Sequence, residues 1–154
     1  MVITKIEAQK KKGRYNIYLN DAFAFGVDEA TVVKYALFKG TELTKEQIEE
    51  IQHDDCIQQA YQKALHFLNF KLRSTKEVYE KLEKLEFDED IINEVLGKLH
   101  EQSFINDTFY AESYLNQAKF VTLKGPKSVV FDLQKKGISD KVIQTVLEGY
   151  TLKE

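Results

Sequence analysis

His53, His66 and His100 are the side chains of this 154-residue sequence most suited to holding a metal or shuttling protons, but they are separated by 13 and 34 residues. Those intervals match no metal-ligand spacing, and none of the three lies in a zinc pattern. The single cysteine, Cys56, follows Asp54 and Asp55. Neighbouring negative charge disfavours the thiolate that a nucleophile requires, so Cys56 reads as a small buried apolar residue. No GxxxxGK, GxGxxG or GxSxG pattern is present, which leaves phosphate-loop, dinucleotide and hydrolase chemistry without a motif. Asp88-Glu89-Asp90 falls in a helical first turn, where the dipole favours anions, and reads as capping rather than metal binding. The expectation is a protein that is not an enzyme and has no cofactor.

The chemistry that does recur is basic. Arg73 and Lys76 return 51 residues later as Lys124 and Lys127, each pair flanking the loop that enters a helix. A cation at a helix N-terminus opposes the macrodipole and costs a few tenths of a kcal/mol, up to about 1, so a repeated one implies a use. Helix amides beside Arg or Lys suit an anion, either phosphate or an acidic protein surface. Lys71 and Lys119 widen this patch, and Lys10, Lys11, Lys12 and Arg14 form a second basic cluster at a hairpin tip. The plainer reading is that lysines at helix ends and hairpin tips serve solubility, with Glu77 offsetting Lys76. Tyr110, Tyr114 and Phe120 could stack nucleic-acid bases, but their helical spacing favours core packing.

A repeated pair needs a repeated scaffold. Sliding the chain by 51 positions sets Val78 on Val129, Leu82 on Leu133, Ile92 on Ile143 and Val95-Leu96 on Val146-Leu147. Ala60 meets Ala111, and Asp88 meets Ser139 as alternative helix caps. The spacing predicts three helices per copy, near 57–71, 75–86 and 89–102, then near 107–121, 126–136 and 140–150. Apolar residues recur at helical intervals through Tyr150. Repeats bury their faces against neighbours and give elongated arrays. The second copy ends near Leu152, so a third would begin beyond the last residue.

Before the repeats, Val2, Ile3, Ile6, Tyr15, Ile17, Leu19, Phe23 and Phe25 fall in alternating runs broken at Lys12-Gly13 and Asn20-Asp21. This predicts a small antiparallel β-meander. Asp28 is placed to cap a helix reaching about Leu37. Thr44-Lys45-Glu46-Gln47 is a capping box for a second helix, which either continues into Cys56–Phe70 or bends near Asp54-Asp55. The fold class is therefore mainly α: tandem three-helix repeats behind a small N-terminal antiparallel meander, divided as 1–56, 57–106 and 107–154.

Composition narrows the function classes. With 43% apolar and 31% charged residues the chain can bury a core, and its formal charge of -3 repels nucleic acid except at a local patch. The N-terminus lacks a signal-peptide core, and no apolar run approaches the roughly 20 residues needed to cross a bilayer. A cytoplasmic protein without a membrane partner is expected.

One ordered set of segments resembles the RecX family, regulators of the RecA recombinase. The segments are Ala64-Leu65-His66-Phe67-Leu68, Arg73 to Val78 with Leu82, and Phe87 to Ile92 with Val95, Leu96 and Leu99. They continue as Phe104-Ile105-Asn106-Asp107 with Phe109-Tyr110-Ala111, then Lys124-Gly125-Pro126 with Leu133 and Lys135 to Ile138. The first 26 residues are similar to the N-terminal extension of longer members. The resemblance implies three-helix repeats, usually three, that lodge in the groove of a RecA–DNA filament and limit its growth during DNA repair, recombination and the SOS response. It implies no catalytic residue. It places Arg73, Lys76, Lys124 and Lys127 in matching segments, with RecA on DNA as partner and a weak direct DNA contact beside it. A direct nucleic-acid-binding helical module is the alternative, because three-helix units are also similar to helix-turn-helix folds.

Overall fold

In a computed structural model, residues 1–122 and 124–152 are described, with the side chains of Val121, Thr122 and Tyr150 to Leu152 set aside. The expected core role of Tyr150 therefore lies outside the described residues. The chain divides into two compact units, Met1–Gln59 and a second beginning at Ala60.

The first unit opens with β1 (Ile3–Ala8), β2 (Arg14–Leu19) and β3 (Ala22–Asp28), an antiparallel sheet in the order β1-β2-β3. Asn20 and Asp21 both take positive φ, 48° and 68°, which builds the tight β2–β3 turn that Asn and Asp tolerate. Ile3, Ile17, Leu19, Phe25 and Val27 point inward and bury against Leu37, Leu43 and Ile51. Strand alternation alone would set Phe23 beside Phe25. A bulge shifts the register between Ile17 and Tyr18, however, so that Tyr18 pairs with Phe23. Phe23 thereby moves to the outer face, 59% exposed, with its ring edge-on to Tyr18.

Helix α1 (Glu29–Lys34) is shorter than expected, and Asp28 makes no side-chain capping bond to it. Its carboxylate instead accepts from Arg14 at 2.9 Å. Helix α2 (Lys45–Leu68) runs without interruption through Asp54 and Asp55, so the continuous alternative holds, and the division between units falls within it. Its start is the expected capping box: the Gln47 amide donates to Thr44 Oγ1 at 3.1 Å, and the Thr44 amide to Gln47 Oε1 at 2.8 Å. Asp55, 3% exposed, accepts from Arg14, the Asp28 amide, Thr31 and Gln59. A buried carboxylate is tolerated only with such full pairing. Cys56 is half-buried rather than buried.

The second unit carries the end of α2, α3 (Thr75–Lys84), α4 (Glu89–Glu101), α5 (Asp107–Gln117), α6 (Pro126–Lys135) and α7 (Asp140–Leu152). Residues that correspond across the 51-residue shift are buried in both copies: Ala60 and Ala111, Val78 and Val129, Leu82 and Leu133, Ile92 and Ile143, Val95 and Val146. Helical repeats are thus present in the packing as well as in the sequence. Each α3- or α6-type helix ends in a left-handed residue, Glu86 (φ 67°) or Gly137 (φ 78°). The following amide then donates five residues back, Phe87 to Leu82 and Ile138 to Leu133. The copies differ at their caps: Ser139 accepts from the Val142 amide at 3.3 Å, while Asp88 makes no side-chain cap bond. They differ again after α5, where Ala118–Thr122 widens into a π-helical turn instead of continuing the α-helix.

Candidate partner-binding surface

The loop between α2 and α3 delivers Lys71, Leu72 and Arg73 to the N-terminus of α3, which starts with a complete capping box. Ser74 Oγ accepts from the Glu77 amide at 3.2 Å, and Glu77 Oε1 accepts from the Ser74 amide at 3.1 Å. Ser74 is itself fully buried because its hydroxyl also donates to the Lys136 carbonyl at 2.7 Å. One serine therefore closes two helix ends, the start of α3 and the finish of α6.

The basic positions divide by what they touch. Lys76 Nζ donates to the Lys135 carbonyl at 3.2 Å, so its charge sits at the negative end of α6. The Arg73 guanidinium carbon sits over the Phe67 ring, 3.9 Å from its centroid, and its Nε is buried without a hydrogen-bond partner among the described residues. Lys124 pairs with Asp132 at 2.8 Å and touches the Tyr114 hydroxyl. The bond to Asp132 raises the Lys124 pKa, and the same bond, with that from Tyr114, lowers that of Asp132. Lys119 stands near the Phe120 ring at 5.3 Å, on a cleft of about 350 Å³ between α5 and α7. Lys71 and Lys127 are exposed. The recurrence of Arg73/Lys76 as Lys124/Lys127 is thus one of position and not of environment.

At the hairpin tip Lys10, Lys11 and Lys12 are exposed, but Arg14 turns inward to Asp28 and Asp55 and does not share their surface. Among the aromatics, Tyr110 is buried and Tyr114 half-buried as expected for core residues, whereas Phe120 is 71% exposed.

Sequence reasoning missed the acceptor side of this region. Lys136 lies 3.4 Å from Glu77 Oε2, although 59 residues separate them. Burial alone would raise the Glu77 pKa. The Ser74 amide and the Lys136 ammonium outweigh it and hold the carboxyl below its usual range. Burial, with the Glu77 charge beside it, raises the pKa of the Tyr110 phenol. Lys71, Leu72, Tyr110, Ser113, Tyr114, Gln117 and Lys136 together line a cleft of about 400 Å³. Among the described residues no group of three or more His, Cys, Asp or Glu could hold a metal ion, and no helix is long and apolar enough to cross a membrane.

Comparison with known proteins sets this geometry in a family. Residues 1–44 match the regulatory protein RecX N-terminal domain, and residues 60–99 match the RecX first three-helix domain. A crystal structure of regulatory protein RecX superposes with a TM-score of 0.77 at 38% identity, over 97% of this chain and 73% of that one. The chain belongs to the RecX family. A second RecX crystal structure, from Lactobacillus salivarius, gives a TM-score of 0.61 at 41% identity over 63% of each chain. The regulatory protein RecX of Leuconostoc mesenteroides is 45% identical over 152 residues, 99% of this chain and 57% of that protein. That of Listeria monocytogenes serotype 4a is 40% identical over 98% of this chain and 56% of that protein. The chain spans a little over half the length of these curated RecX relatives, and the RecX three-helix match falls on the repeat that carries Ser74, Lys76 and Glu77.

Proposed function

We propose that this chain is a regulator without enzymatic activity of its own, which binds the RecA–DNA filament in the cytoplasm and restrains recombinase activity in DNA repair. The observation that carries this reading is the RecX match, which runs through both the N-terminal sheet and the helical repeats at 38% identity. The repeats support it physically. Units of one size stacked along the chain suit a helical polymer, which presents its own subunits at a fixed interval.

In this reading the exposed Lys71 and Lys127, with the half-buried Lys119, meet the partner, while Arg73, Lys76 and Lys124 hold the loops that present them. Lys10, Lys11 and Lys12 offer a second contact, and direct contact with DNA is weak because the chain carries a net charge of -3. The test is the rate of ATP hydrolysis by RecA assembled on single-stranded DNA, titrated with this chain at two salt concentrations beside a matched titration on bare DNA. Loss of hydrolysis below the concentration at which bare DNA is bound is the expected result. Inhibition that only follows DNA occupancy, with a steep salt dependence, would favour the nucleic-acid alternative.

A further inference from the structure

The cleft between the Lys71–Arg73 loop, α5 and the end of α6 is unlike the other basic positions, because the Lys71, Ser113 and Gln117 side chains in its lining make no hydrogen bond or ion pair among the described residues. Lys71 is exposed and forms no ion pair among the described residues, and Ser113 and Gln117 add a hydroxyl and an amide. The two tyrosines contribute ring surface, since the Tyr114 hydroxyl is bound to Asp132 and Lys124 and the Tyr110 hydroxyl faces Glu77. Lys136 is held by Glu77 at a loose 3.4 Å, with 42% of its side chain still exposed. The charged residues that line the cleft are both cations, Lys71 and Lys136, while the carboxylates behind the lining, Glu77 and Asp132, are each paired with a lysine, Lys136 and Lys124. Leu72 (40% exposed) lines it, and Phe70 (69% exposed) precedes it on the same loop.

We propose that this cleft binds an extended acidic segment of a partner protein, with a carboxylate between Lys71 and Lys136 and an apolar side chain against Leu72 and the tyrosine rings. The proposal deepens the filament reading and rests on it for biological context. Two features favour a peptide over nucleic acid. The apolar half of the lining suits an aliphatic or aromatic side chain, and the net-negative chain disfavours a polyphosphate strand while still accepting a single carboxylate at a local positive site. The about 400 Å³ of the cleft holds one or two side chains rather than a helix.

The probe is an acetylated hexapeptide of alternating glutamate and leucine, titrated into the isotope-labelled chain and followed by amide NMR shifts. Its glutamine counterpart and a thymidine oligonucleotide are run in parallel. Saturating shifts at Lys71, Ser113 and Gln117 with the glutamate peptide alone are expected. Lys71→Glu should weaken binding by about tenfold, as expected for loss of a charge-assisted contact. Leu72→Ser should weaken it about threefold or more, and Lys39→Glu, an equal charge change outside the cleft, by less than about twofold. Both cleft substitutions are at exposed positions, and a far-ultraviolet CD spectrum checks their folding. A cleft that stays silent at millimolar peptide, equal weakening by Lys71→Glu and Lys39→Glu, or tighter binding of the oligonucleotide at these amides would each overturn the proposal. No filament enters this experiment. An intact peptide site in a chain that leaves RecA hydrolysis unchanged would therefore reject the filament reading and keep the site, and the reverse pair of results would do the opposite.

Discussion

Lys76 lies across Gly137 so closely that a Cβ built on the glycine would stand 2.5 Å from the lysine Cβ. The glycine also has φ +78°, so both its conformation and its surroundings exclude a side chain. Its counterpart one repeat earlier, Glu86, has a similar φ of 67° but carries a side chain into solvent. Gly137→Ala should lower stability by about 2 to 4 kcal/mol, the sum of left-handed strain and the clash. Glu86→Gly, which relieves strain alone, should raise it by about 0.5 to 1 kcal/mol. Urea midpoints of the two variants must move in opposite directions.

Lys76 and Lys127 occupy equivalent positions but should answer oppositely to truncation. Lys76→Ala removes the bond to the Lys135 carbonyl and the packing of the stem, at a net cost of about 0.5 to 1 kcal/mol. Lys127→Ala removes a cation that opposes the α6 dipole, with no ion pair among the described residues to lose, and should gain a few tenths, about 0.3 kcal/mol. Thermal melts that shift the same way for both would contradict the assignment.

Ser74→Ala should cost about 2 kcal/mol, since it removes the α3 cap and leaves the Lys136 carbonyl short of a buried donor. Ser139→Ala removes only an exposed cap and should cost about 0.5 to 1 kcal/mol. Denaturant titrations of the two variants give the ratio directly.

Glu77 supplies a pH dependence with a definite sign. Its carboxyl has a lower pKa folded than unfolded, so below neutrality the unfolded chain takes up the proton first. The associated stability is fully present above about pH 5 and is lost as pH falls through the lowered folded value. Glu77→Gln should be less stable at neutral pH and show a flatter decline from about pH 5 to pH 3, measured by urea denaturation across that range.

The sequence pattern was legible where one local rule decided the outcome. The Thr44 capping box, the Asn20-Asp21 turn and the repeated buried positions all follow from short-range spacing. Partners distant in the chain were not legible. Arg14 looked like part of a basic hairpin tip because Asp55, its second acceptor, is 41 residues away. Lys76 looked costly at the α3 N-terminus because the compensating α6 carbonyl is 59 residues away. Phe23 was misplaced for another reason: a single bulge inverts every face beyond it and leaves no mark in the alternation. The cleft shares the first difficulty, since Lys71 was visible as a cation but Lys136, Ser113 and Gln117 reach it only through the fold.

The four donors gathered on Asp55 bear on where this protein can be cut. The match to the RecX N-terminal domain stops at residue 44, and the carboxylate that serves Arg14, Thr31 and the Asp28 amide comes eleven residues later, on α2. A fragment trimmed at the family boundary keeps all three strands but strands their polar groups, leaving Arg14 with Asp28 alone. Similarity marks what relatives share along the chain; the hydrogen bonds to Asp55 are complete only in a segment that reaches Gln59, where the last of them is made.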